Sequence, residues 1–156
     1  MNVLVVYDSW YGNTEQLARA IADRLGSARL VKAKALGSLD LAGCDLLVIG
    51  SPTHAGGISL GLRFAVPRIP AAVVRGVSVA AFDTRFHEDV SHTGSAAVKI
   101  AKSLEKKGAR LVAPPESFFV SGMKGPLEEG EIERASAWAA TILGTVQAAP
   151  QPDTPV

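Results

Sequence analysis

Two rhythms of apolar and polar residues alternate along the chain. Val3 to Tyr7 is apolar at nearly every position and rich in valine, which predicts a central parallel strand covered on both faces. From Thr14 onward Leu17, Ala18, Ile21, Ala22 and Leu25 recur at helical spacing and Gly26 follows, so a first helix is expected to end there. Arg29 to Leu36 reads as a second strand, and Lys32 and Lys34 place it near a sheet edge. Leu46 to Gly50 is the third. Ile58 to Val66 suits a short helix stopped by Pro67 and Pro70, and Val77 to Phe82 is the fourth strand. A second clear helix spans Thr93 to Lys107, with Ala97, Ile100, Ala101 and Leu104 inward and Gly108 after it. Leu111 to Val120, kinked by Pro114 and Pro115, supplies the fifth strand. Leu127 to Val146 forms the last helix, with Ile132, Ala135, Ala139, Ile142 and Val146 as its buried stripe and Trp138 beside it.

This order predicts an α/β fold on a five-stranded parallel sheet, whose ligand belongs at the carboxyl ends of the central strands. The 156 residues suffice for one core that buries roughly 70% of the unfolded surface. The domain is expected to span residues 1–146. Residues 147–156, rich in Pro, Gln and Ala, are expected to form a flexible tail.

Composition narrows the function. Net charge is +1, divided as +3 over residues 1–78 and −2 over 79–156, and aromatics make up 6% of the chain without interleaved basic runs. A nucleic-acid partner is therefore not expected. Cys44 is the single cysteine, which excludes an internal disulfide and a cysteine zinc site, while His54, His87 and His92 spell no metal motif. Apolar runs fall far short of the roughly 20 residues of a membrane helix, and no basic leader precedes a hydrophobic start. A cytoplasmic protein without a membrane span is expected.

The loops after the first, third and fourth strands carry the chemistry. Ser9-Trp10-Tyr11-Gly12-Asn13-Thr14 opens the first helix, so backbone N–H groups and the positive helix end converge on one point suited to a phosphate. Ser9, Thr14 and Asn13 add short polar side chains, and Gly12 admits close backbone approach. The loop lacks the lysine of a triphosphate site, and no Gly-x-Gly-x-x-Gly is present.

Val5-Val6-Tyr7-x-Ser9-x-x-Gly12-x-Thr14-x-x-x-Ala18-x-x-Ile21 resembles the flavodoxin signature, and the likeness extends to about Gly144 without the long insertion that separates long-chain from short-chain members. The resemblance implies a flavodoxin-like three-layer sandwich, with strand order 2-1-3-4-5 and helices on both faces, that binds FMN. It assigns the FMN phosphate to Ser9, Trp10, Tyr11, Gly12, Asn13 and Thr14. It also implies that the loop Gly50 to Gly57, through Pro52, Thr53, His54, Ala55 and Gly56, lies against the flavin ring. There the small Ala55-Gly56-Gly57 backbone can turn a carbonyl toward a protonated flavin N5 and favour the semiquinone. His54 stands about where family members often carry Trp. Asp83, Thr84, Arg85 and Phe86 form the third side, with Phe86 or His87 in place of the usual outer Tyr. Arg85 near the pyrimidine edge would stabilise the reduced anion and raise the potential.

Other groups have structural readings. Glu128, Glu129, Glu131 and Glu133 fit capping of the last helix, Lys99, Lys102 and Lys106 a solvated face, Cys44 an inert thiol, and Phe118 and Phe119 the core. A phospho-receiver on the same fold needs clustered acids at the first strand, where only Asp8 stands. The expected function is an electron shuttle between a flavin reductase and a redox acceptor. The alternative is an FMN-dependent reductase or oxidase acting on a quinone or other small substrate, which the lack of a strong acidic field favours. A module that has lost FMN is the third reading, and the intact phosphate loop opposes it.

Overall fold

Strand β1 (Val3–Tyr7) is buried at all five positions and sits inside a parallel sheet, as its unbroken apolar run predicts. The computed structural model describes residues 1–149, with Ser38 and Leu39 described by backbone alone. β2 (Arg29–Lys32) flanks β1 on one side and β3 (Leu46–His54) on the other. β3 pairs with β5 (Ser78–Phe86), which pairs in turn with β6 (Arg110–Leu111) near its start and β7 (Glu116–Val120) near its end. The prolines at 114 and 115 fall between β6 and β7, where they interrupt the ladder, so the two are one broken fifth strand and the order is the expected 2-1-3-4-5. β4 (Gly57–Ile58) folds back antiparallel on the end of β3.

Strand alternation divides the core in two. Val3, Val5, Val48, Ala80 and Phe82 pack with α1 (Asn13–Leu25) and α7 (Glu131–Ala148), while Leu4, Val6, Leu47, Ile49 and Ala81 pack with α3 (Leu60–Arg68) and α6 (Ala96–Lys106). Short turns α2 (Ser38–Leu41), α4 (Ala71–Val74) and α5 (Val90–Thr93) complete the connections.

Several element bounds differ from the sequence reading. β2 stops at Lys32 because the chain enters a 3-10 turn that buries Ala33. β3 and β5 each run four residues beyond their apolar stretches, with Ser51 opposite Asp83 and Pro52 opposite Thr84, because the polar side chains there find buried partners. α6 begins at Ala96, where the Ser95 hydroxyl accepts the N–H of Val98 and so caps the helix. α3 continues through Pro67, and the Lys107 ammonium gathers the carbonyls of Val66, Pro67 and Ile69 at its end. α7 begins at Glu131, leaving Glu128 and Glu129 outside it, and reaches Ala148, two residues beyond the expected domain end. The rest of the expected tail, residues 150–156, lies outside the described residues.

Glu131 is not a simple helix cap. Its buried carboxylate accepts the N–H of Phe119, and Arg134, one turn on, donates to the carbonyl of Ser117 and to Glu131 itself. Both backbone groups belong to the outer edge of β7. The two side chains thus pair with that edge as a neighbouring strand would, which leaves less of it open to another chain. Burial pushes the Glu131 carboxyl up, but the Arg134 guanidinium and the Phe119 N–H together outweigh it and hold the group below the ordinary Glu range. Glu131→Ala should cost about 1.5–3 kcal/mol in urea unfolding at neutral pH. Because the folded pKa is depressed, that contribution is present above about pH 4.3 and is lost as pH falls through the folded value, so wild type and variant should converge in acid.

Candidate functional site

At the carboxyl end of β1 the chain turns sharply through Ser9 to Gly12. Gly12 holds φ at 88°, a conformation that costs glycine little, and α1 starts directly after it. The Ser9 hydroxyl oxygen accepts the N–H groups of Gly12 at 3.1 Å and Glu15 at 3.3 Å, so it organises the loop while its own proton stays free to donate outward. Among the described residues no protein acceptor takes the N–H of Trp10, Tyr11, Asn13 or Thr14. Four unengaged donors at the start of a 13-residue helix form a cradle for an anion. Thr14 is 1% exposed and shares a 3.1 Å hydroxyl contact with Thr84, which makes it a brace between α1 and β5 rather than an open donor.

Beside this cradle lies a cleft of about 280 Å³ lined by Trp10, Tyr11, His54, Ala55, Arg85, Phe86, Val120 and Met123. A small extension runs from it toward Ser9, Asn13, Thr14, Pro52 and Thr84. Trp10, Tyr11, Phe86 and Met123 are all exposed at its mouth, and the Trp10 and His54 rings meet edge to face at 4.9 Å. A larger cleft at the opposite end of the sheet, by Met1, Cys44, Arg75 and Arg110, collects none of the expected site residues.

Residues 50–57 are not a free loop. They continue β3 to His54, turn at Ala55 and Gly56, and return as β4. Ala55 sits at φ 48°, a strained position for a residue with a Cβ, next to Gly56 at φ 81°. Thr53 points to the α6 side, where its hydroxyl accepts the N–H of Ala96. Gly50 is fixed by packing: a Cβ there would stand 2.0 Å from the Phe82 ring.

The third expected loop is likewise strand, and its residues alternate. Thr84 faces α1, whereas Asp83 is fully buried on the α6 side, where its carboxylate accepts the Ser95 hydroxyl and the Ala97 N–H. Asp83 therefore anchors α6 and does not reach the cleft. Arg85 does reach it. Its Nε donates to Ser117 and its Nη1 to the Glu88 carbonyl at 2.7 Å and to Thr93, and its guanidinium lies 5.1 Å from the Phe119 ring centre. Phe86 faces the cleft, while His87 turns away to stack on Phe119 and contact Glu128.

Val120 and Met123 are the lining residues the sequence reading missed. Their signal is the turn chemistry of Ser121-Gly122-Met123-Lys124-Gly125-Pro126, which follows the fifth strand as the other site loops follow theirs. This segment packs on the anion cradle, and a Cβ at Gly125 would lie 2.5 Å from Asn13 Oδ1.

Burial pushes the Asp83 carboxyl above its ordinary range, and the hydrogen bonds from Ser95 and Ala97, with the nearby Ser117 hydroxyl and Arg85 charge, only partly offset it. Among the described residues one carboxyl oxygen, Oδ1, has no partner. A raised folded pKa means that stability is fully present below about pH 3.9 and declines as pH rises through the folded value. Asp83→Asn removes this titration. In guanidinium unfolding the wild type should therefore lose ground relative to the variant between pH 4 and pH 7, and a constant difference would contradict the assignment.

Among the described residues no helix is long and apolar enough to cross a membrane, and no cluster of His, Cys, Asp and Glu suits a metal. A family model described as a flavodoxin domain matches residues 4–64. Curated proteins gave no match. Solved structures share the fold over nearly the whole chain. A flavodoxin from the domain Archaea has a TM-score of 0.79 at 20% identity, covering 94% of this chain and 99% of its own. A flavodoxin, WrbA-like protein from Agrobacterium tumefaciens has a TM-score of 0.76 at 21% identity, covering 94% and 97%. Rubredoxin oxygen:oxidoreductase from the anaerobe Desulfovibrio gigas has a TM-score of 0.75 at 21% identity, with 94% of this chain matched to 36% of that one.

Proposed function

We propose that the chain is a flavodoxin-family protein that binds FMN and carries electrons between a flavin reductase and a redox acceptor, a reading supported by the flavodoxin-domain match over residues 4–64 and by the fold shared with solved flavodoxins. The observation that carries this reading is the adjacency of an anion cradle with four unengaged N–H groups to an aromatic-walled cleft. The residues fit the group. Ser9 and the backbone of Trp10 to Thr14 would hold the phosphate, and Trp10, Tyr11, His54, Ala55, Arg85 and Phe86, with Val120 and Met123, would bound the ring. Bound FMN supplies one- or two-electron redox chemistry. The protein's part is to bind it, shield one end and set its potential.

Arg85 contributes to the last of these. It is fixed by its hydrogen bonds on the cleft wall and, among the described residues, pairs with no carboxylate. A held cation there favours the anionic, fully reduced flavin. Arg85→Ala should lower the two-electron midpoint potential, read by anaerobic titration against reference dyes, and an unchanged midpoint would refute that role.

A second reading, an FMN-dependent reductase or oxidase of a quinone or other small substrate, is favoured by the open mouth lined with Trp10, Tyr11 and Phe86, which admits a flat molecule. One titration separates the readings. FMN added to the purified chain should quench its own fluorescence with saturation at one equivalent, and a lack of binding would overturn both. Stepwise anaerobic reduction of the complex should then pass through a long-wavelength one-electron absorbance in a carrier, and should bleach directly in a two-electron enzyme.

A further inference from the structure

Two cations converge on the hairpin that forms one wall of the cleft. Lys99 Nζ lies 3.2 Å, and Arg63 Nη2 3.8 Å, from the point where a Cβ would sit on Gly57. They come from different elements, Arg63 from the first turn of α3 and Lys99 from the first turn of α6. Arg63 is steadied there by the Ile58 carbonyl at 3.2 Å. Both side chains are exposed, and among the described residues neither pairs with a carboxylate. Like charges gathered this way repel one another.

The pair stands beside an exposed apolar mouth. His54 and Ala55 of the same hairpin line the cleft, and Trp10, Tyr11, Phe86 and Met123 rim it at 59%, 46%, 42% and 73% exposure. Arg85 adds a third cation on the wall, and Lys124 follows Met123. Three acids oppose them. Asp8 has its carboxylate near Gly61, and Glu88 and Asp89 lie past Phe86, where the Asp89 carboxylate accepts the Ser91 N–H. With a net charge of only +1, the whole-molecule field is weak, so these local charges decide what approaches the mouth.

We propose that the mouth of the cleft is a docking surface for a redox protein that presents acidic side chains, with Arg63 and Lys99 as the groups that receive them and the apolar rim as the contact. Such a partner pairs the two stranded cations and covers the exposed aromatics in one step. This rests on the FMN reading, because the partner is placed where electrons leave.

The test uses the FMN-loaded full chain, reduced anaerobically and mixed by stopped flow with ferricyanide or hexaammineruthenium(III), probes of opposite charge. Each probe molecule takes one electron, so two are reduced per fully reduced flavin, and flavin protons pass to solvent. Oxidation by ferricyanide should slow about threefold to tenfold as ionic strength rises from about 10 to about 300 mM, and oxidation by the ruthenium complex should not slow. Arg63→Glu/Lys99→Glu should reverse both trends while FMN affinity stays as in wild type, and Lys99→Gln should fall between. Salt-independent rates, or a double variant that behaves as wild type, would overturn the proposal while leaving FMN binding intact. Rates that fall with protein concentration would show the mouth covered by a second copy and would also overturn it. Failure to bind FMN would overturn the cofactor reading, and this inference with it.

Discussion

A parallel sheet covered on both faces must hand its strands on to helices without stranding the N–H groups at the buried helix starts, and in this protein buried short polar side chains at the strand ends meet that constraint. Thr14 bonds Thr84 across the α1 face. On the other face Thr53 takes the Ala96 N–H, Ser51 takes the Ser59 N–H, and Asp83 takes Ser95 and Ala97. Each bond ties the carboxyl end of a strand to the helix or hairpin beyond it. A buried hydrogen bond of this kind is worth more than its net contribution suggests, since leaving one partner unmatched costs about 1–3 kcal/mol. The cradle and the cleft are therefore built on fixed strand ends, with only the turns 9–12, 55–56 and 121–126 projecting past them.

The same constraint explains what sequence patterning conveys about this molecule. Apolar runs locate β1, the buried parts of β3 and β5, and the inward stripes of α1 and α6, since burial on both faces leaves no polar position to confuse the reading. Patterning falls short where burial is satisfied by polar side chains. Ser51 to His54 and Asp83 to Phe86 look like loops in sequence because their residues are those of loops, yet they continue strands. The alternation within β5 then separates neighbours: Asp83 goes to α6, Thr84 to α1 and Arg85 to the cleft wall. A list of loop residues carries no such parity.

Non-local contacts were illegible for a different reason. Gly50 follows four buried apolar residues and reads as an ordinary strand end, but it is required because the Phe82 ring lies against its α carbon. Glu131 reads as one of four acids near a helix start, where a dipole argument suffices, and nothing local marks it as the partner of the β7 edge. Such pairings depend on which elements the fold brings together. The 121–126 segment joined the site in the same way, through Asn13 and Gly125.

Two buried carboxyls, Asp83 and Glu131, show how burial alone does not decide a charge. Asp83 and Glu131 are both buried and both accept a backbone N–H, yet their pKa values move in opposite directions. Glu131 has the Arg134 guanidinium in direct contact, and a full positive charge at hydrogen-bond range outweighs desolvation. Asp83 has only neutral donors in contact, because Arg85 spends its hydrogen bonds on Ser117, Thr93 and the Glu88 carbonyl. The consequence reaches the cleft. Among the described residues Arg85 forms no ion pair with Asp83 or any other carboxylate, so its guanidinium stays on the cleft wall. The acid that anchors α6 and the cation on the cleft wall are thus next-but-one neighbours on β5 held by separate sets of hydrogen bonds.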